Sequence, residues 1–188
     1  SGQMSKMPFL TVGDNATRVF GLSPRERMNR FAAKAQLAPT DSAVADSACI
    51  VANLGYAWDP VWLGHVKSYP GLVLTLNGVP VLAHLTGGGQ QAVIDAMRHS
   101  AQLSAADGLV IQPVETAGAI ENKELRKREQ PYLMRLNADT ARIVEKASYD
   151  GAYKGVTDAL TLYLWRGLAL HLTRGAAAIG MTPNMVTA

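Results

Sequence analysis

Residues 72–85 restrict the fold more tightly than any other stretch of the chain. Two apolar runs, Leu72-Val73-Leu74-Thr75-Leu76 and Val79-Pro80-Val81-Leu82-Ala83-His84-Leu85, are separated only by Asn77-Gly78. A link this short admits only antiparallel pairing, and Asn-Gly supplies the positive φ angles that a type I′ turn demands. Pro80 has no N–H, so the second strand is expected at a sheet edge or only partly paired.

Around this hairpin, strand and helix signals alternate. Phe9-Leu10-Thr11-Val12-Gly13 is an opening strand, and Ala48 to Asn53 a second one, apolar on both faces. Ser23-Pro24-Arg25-Glu26 is a capping box with proline at the first helical position, predicting a helix over 24–37. Asp59-Pro60 starts another helix in the same way. Gly87-Gly88-Gly89 breaks the chain before a helix over 90–103, and Leu109-Val110-Ile111 is a further strand. Residues 121–129 form a dense charged stretch of helical character ended by Pro131, Tyr132 to Leu136 alternates weakly, and Asp139 is placed to cap a helix running to Lys146. This alternation predicts an α/β domain with a mostly parallel sheet flanked by helices. With 48% hydrophobic and 18% charged residues, the chain has enough apolar side chain for a packed core.

From Thr157 the spacing changes to a single long helix. Leu160, Leu164, Leu168 and Leu172 recur every fourth residue, with Leu162 and Trp165 widening the stripe. Gly180 can end it and Pro183 stops its continuation. Such a stripe either packs as the last core helix or lies along a membrane interface, where Tyr163 and Trp165 would anchor it and Arg166 and Arg174 would face headgroups. Residues 1–120 carry 8 Lys/Arg against 8 Asp/Glu, whereas residues 121–188 carry 10 against 7, so the whole net charge of +3 lies in the last third. Anionic lipid would attract that third, by about 1 kcal/mol per well-placed cation. No stretch approaches the roughly eighteen uncharged apolar residues of a membrane span; the longest, Ala159 to Ile179, is interrupted by Arg166, His171 and Arg174.

Several chemistries lack their residues. The single cysteine, Cys49, sits in an apolar run and is expected to be a buried structural thiol. His65, His84, His99 and His171 show no metal-binding spacing. A basic stripe interleaved with aromatics is missing, which argues against nucleic acid as a partner. Ser1 to Phe9 carries no secretory signal, and Ser1-Gly2-Gln3 ahead of Met4 is an expected expression scar.

The C-terminal third does carry a recognisable pattern. Lys154, Thr157 and Asp158, the amphipathic helix after them, and Thr182-Pro183-Asn184-Met185-Val186-Thr187 resemble the K-x-x-D and T-P-N-x-V-T lead-in to the first membrane span of CDP-alcohol phosphotransferases (CDP-alcohol phosphatidyltransferases). Asn122 to Tyr132 resembles the N-x-x-L-R-K-R-E-x-P-Y segment that precedes K-G-V-T-D in some bacterial members. The resemblance implies an accessory or regulatory domain, residues 4–150, followed by a juxtamembrane segment, 151–188, with the first span beginning beyond Ala188. The parent would be an integral membrane transferase at the cytoplasmic face of the inner membrane. It would move a phosphoryl-alcohol group from a CDP-alcohol to an acceptor in phospholipid or related polar-lipid synthesis, using magnesium ions held in its membrane domain. The family's catalytic D-G-x-x-A-R is not among these residues; Asp107-Gly108 and Asp150-Gly151 continue differently. No catalytic residue, metal ligand or cofactor is therefore assigned to residues 1–188.

The first half resembles, more loosely, the nucleotidyltransferase domain sometimes fused to that family. Gly13, Thr17 and Arg18 stand where its G-x-G-T-R loop holds a triphosphate, while Gly55 stands about where its metal-binding acid follows a buried strand. Glycine offers a metal no side-chain oxygen, so a degenerate domain without nucleotidyl transfer is expected. The alternatives are a working cytidylyltransferase that makes the CDP-alcohol, or a free-standing phosphate- or nucleotide-binding protein. Thr17, Arg18, Lys123, Arg126, Lys127 and Arg128 are the phosphate- or nucleotide-binding candidates. For the last three the plain reading is a solvated helix with Glu124 and Arg128 paired. The expected partners are the chain's own membrane domain, an anionic lipid surface, a CDP-alcohol or nucleotide, and a second copy of the chain.

Overall fold

A computed structural model describes residues 6–42, 47–87, 90–105, 107–116 and 131–150. Their architecture is α/β: a mixed six-stranded sheet with helices on both faces. The strands are β1 (Met7–Val12), β2 (Leu37–Thr40), β3 (Cys49–Asn53), β5 (Leu72–Leu76), β6 (Val79–Leu85) and β7 (Val110–Pro113), in the order β2-β1-β3-β6-β5-β7. Two shorter strands, β4 (Tyr56–Trp58) and β8 (Leu133–Arg135), form an antiparallel ribbon of their own. The helices are α1 (Pro24–Lys34), α2 (Pro60–Ser68), α3 (Gln90–Arg98) and α4 (Ala141–Asp150).

Period-two alternation in the buried strands sorts their side chains into two cores. Phe9, Ile50, Ala52, Leu72, Leu74 and Leu76 face one side, where α1, α2 and α4 contribute Met28, Trp62, Leu63, Val66 and Val144. Leu10, Val12, Cys49, Val51, Val73, Ala83 and Leu85 face the other, under Val93, Ile94 and Met97 of α3. His84 is buried with Nδ1 3.0 Å from the Val66 carbonyl, a structural role. Cys49 is buried too, with Gln90 Nε2 donating to its sulfur, and burial pushes its thiol pKa up.

The hairpin forms as the Asn-Gly link requires, with Asn77 at φ 53° and Gly78 at φ 81°. Its tight turn sets β6 antiparallel to β5, and β6 also runs against β3. The ladders β1–β2, β1–β3 and β5–β7 are parallel. Pro80 is not on an edge strand, since β6 is paired on both sides. It is accommodated beyond the end of the β3 ladder, opposite Thr75, where the β5–β6 register shifts.

Other boundaries differ from the sequence expectation for local reasons. α1 stops at Lys34 rather than residue 37, because Gln36 turns left-handed (φ 63°) and Leu37 opens β2. α3 stops at Arg98 rather than 103, with Ser100 at φ 51° and Leu103 N bonded to the Gly78 carbonyl. Asp139 does not cap α4; Asn137 Oδ1 accepts from the backbone of Asp139 and Thr140 instead. Ser23 and Asp59 cap as expected, accepting from Glu26 N and Val61 N. Among the described residues, no helix is long and apolar enough to cross a membrane. The charged stretch 121–129 and the segment from Thr157 lie outside the described residues.

Candidate functional site

Open α/β sheets bind ligands beyond the carboxyl ends of their strands, where the strand order reverses. Here the chain leaves β1 through α1 to reach β2 on one side, then returns to place β3 on the other side of β1. The reversal therefore lies between β1 and β3, and the crevice is bounded by Gly13–Leu22 after β1 and Leu54–Gly55 after β3. Gly13 turns the chain away from the sheet at φ 102°, a conformation that side chains resist.

Two asparagines fill this crevice. Asn53 ends β3 at 3% exposure, donating from Nδ2 to the Pro80 carbonyl at 3.0 Å and accepting at Oδ1 from Gly55 N at 2.9 Å. A Cβ on Gly55 would come within 3.2 Å of that Oδ1, so the position has no room for a side chain without adjustment. Asn15 bridges two carbonyls through Nδ2, Leu54 O at 2.9 Å and Leu136 O at 3.0 Å, while its Oδ1 accepts from Thr17 N. Leu54 N donates to Val12 O and Leu136 N to Gly55 O, each at 2.9 Å. The strand ends are thus joined by amides whose oxygens already hold backbone protons.

Thr17 and Arg18 follow in the same loop, with different duties. Thr17 contributes its backbone N–H to Asn15, a local turn. Arg18 is exposed, and its Nη1 donates to Gly21 O at 2.7 Å. That bond pins a tight turn in which Val19 and Leu22 exchange backbone hydrogen bonds at 3.0 Å. Phe20 at its tip is left-handed (φ 51°) and 55% exposed. Asp14 is the sole carboxylate between Gly13 and Leu22, and it is exposed. Among the described residues, no group of three or more His, Cys, Asp or Glu side chains is placed to hold a metal ion.

A second polar cluster lies where α1, α4 and the approach to β8 meet. Arg27, 8% exposed, donates from Nη2 to Tyr132 Oη at 2.6 Å and to Ser148 Oγ at 2.8 Å, with its guanidinium 4.8 Å from the Phe31 ring centre. Ser148 Oγ donates to the Val144 carbonyl at 2.7 Å, and Tyr132 Oη is 2.9 Å from Ser148 Oγ. No carboxylate forms a salt bridge with Arg27 among the described residues. The cation rests on hydroxyls, an aromatic face, and the last turn of α4, whose carbonyl end is partly negative. Burial holds the Tyr132 phenol pKa above its usual value despite Arg27 beside it; burial likewise raises Tyr56, which Arg135 opposes.

Asn15, Asn53 and Arg27 were not singled out by sequence reasoning. An asparagine closing the apolar run Cys49 to Ala52 was the available signal for one of them. Of the sequence candidates, only Thr17 and Arg18 lie in described residues. Lys123, Arg126, Lys127, Arg128, Lys154, Thr157, Asp158, Tyr163, Trp165, Arg166 and Arg174 lie outside them, as do Gly88 and Gly89. No protein-family model matches the chain, and no curated protein matches it.

Proposed function

We propose that the chain is a degenerate nucleotidyltransferase-like domain with a mostly parallel sheet, serving as the accessory or regulatory part of a membrane CDP-alcohol phosphotransferase. It works at the cytoplasmic face of the membrane in phospholipid or related polar-lipid synthesis and performs no nucleotidyl transfer of its own. The observation that carries the second half is the crevice: amides of Asn15 and Asn53 join the strand ends where a triphosphate and its metal would need room and carboxylates. Three parallel ladders and one reversed strand support the fold reading. The membrane attribution rests on Lys154, Thr157, Asp158 and the Thr182–Thr187 motif.

The natural coding frame downstream of Ala188 tests that attribution. It is expected to continue into a series of apolar spans bearing D-G-x-x-A-R. A frame that stops there, or continues into a chain without spans, rejects it.

A further inference from the structure

We infer that β8 and its flanks, residues 131–137, form a strap that closes the crevice between β1 and β3, and that Arg27 is its latch. The inference rests on the fold alone and holds whichever family the chain belongs to.

β8 does not pair with the six-stranded sheet; its ladder is with β4 alone, through Tyr56–Arg135, Ala57–Met134 and Trp58–Leu133. A two-stranded ribbon is marginal by itself, so this one is held by the burial of Leu133, Met134 and Leu136 in the core and by the hydrogen bonds at its ends. At the crevice end, Asn15 Nδ2 donates to Leu136 O and Leu136 N donates to Gly55 O. At the other end, Tyr132 O accepts from Asp59 N at 2.9 Å and from Trp62 Nε1 at 3.2 Å, while Tyr132 Oη accepts from Arg27. The chain then runs through α4 and returns Ser148 to the same guanidinium. Tyr132 and Ser148, 16 residues apart, thereby meet at one cation. Releasing Arg27 would remove a group that both ends of the 132–148 segment share, leaving Tyr132 held by its backbone carbonyl and its contact with Ser148.

The closed arrangement also carries a cost under the strap. Among the described residues the buried Trp58 indole N–H has no acceptor, and Trp58 pairs with Leu133. A buried unpaired donor favours any state that hydrates it. Strap opening supplies that hydration and withdraws the Leu136 carbonyl from Asn15. Access to the β1/β3 crevice therefore depends on a latch that grips Tyr132, about four strand residues, or roughly 13 Å, before Leu136.

Amide hydrogen exchange on the full 188-residue chain tests the coupling. In Arg27→Met the amides of Asp59 and Leu136 should exchange together, about tenfold or more faster, while β3, β5 and β6 amides keep their rates. Tyr132→Phe removes the hydroxyl alone and should give the same pattern at smaller amplitude. Faster exchange confined to α4, with Leu136 unchanged, overturns the strap. Acceleration of the whole sheet in step with Leu136 equally overturns it, since β8 would then not open as a separate unit. Should Arg27→Met fail to fold, Tyr132→Phe decides by the same two criteria.

Discussion

Asn53 ends an apolar strand with an amide, and both ends of that amide are engaged: Pro80 O on one side, Gly55 N on the other. Asn53→Leu keeps the volume and leaves two backbone groups unpaired, so it should lower unfolding stability in urea by about 2–4 kcal/mol. Phe20 presents the opposite case. Its left-handed backbone costs a bulky residue about 1–2 kcal/mol, and its half-exposed ring returns little of that by burial. Phe20→Asn should therefore raise stability by about 1 kcal/mol, measured in the same denaturation. Residues that act locally were legible beforehand. Ser23 and Asp59 cap helices two or three positions away, and proline marks each site. Asn15 and Asn53 were not, since their partners lie 39, 121 and 27 residues off and nothing in the neighbouring sequence points to them.

Elements were readable where a turn or cap determines them and unreadable where tertiary pairing does. The Asn77-Gly78 hairpin followed from two residues. β4 is three residues long and exists because β8 pairs with it, so no periodicity could announce it. Pro80 suggested an edge or partial pairing, and partial pairing is what occurs: it lies past the end of the β3 ladder in a central strand, at a register shift and beside the side chain of Asn53. Removing the cap of α1 by Ser23→Ala should cost about 1 kcal/mol. Cys49, Tyr56 and Tyr132 all hold their protons more tightly in the fold than in the unfolded chain, chiefly through burial. The unfolded state ionises first, so stability should fall as pH rises through the ordinary thiol and phenol range, from about pH 9 upward. Tyr132→Phe should make that alkaline decline shallower in denaturant midpoints taken across the range, whatever it does to the midpoint at neutral pH.

At the scale of the whole molecule, the alternation of strand and helix signals was enough to anticipate an α/β fold with helices around a sheet. The candidate site was only half legible: Gly13 entered by its likeness to a phosphate-loop glycine and Gly55 by its missing oxygen, while the amide bridges between the strand ends come from residues distant in sequence. Among the described residues no cluster of carboxylates is placed at this crevice to hold a metal ion. The most direct measurement is calorimetric titration of the chain with CTP and magnesium, followed by an assay for pyrophosphate. A closed, amide-filled crevice predicts no saturable heat at micromolar nucleotide and no pyrophosphate. Micromolar binding accompanied by pyrophosphate release would contradict it.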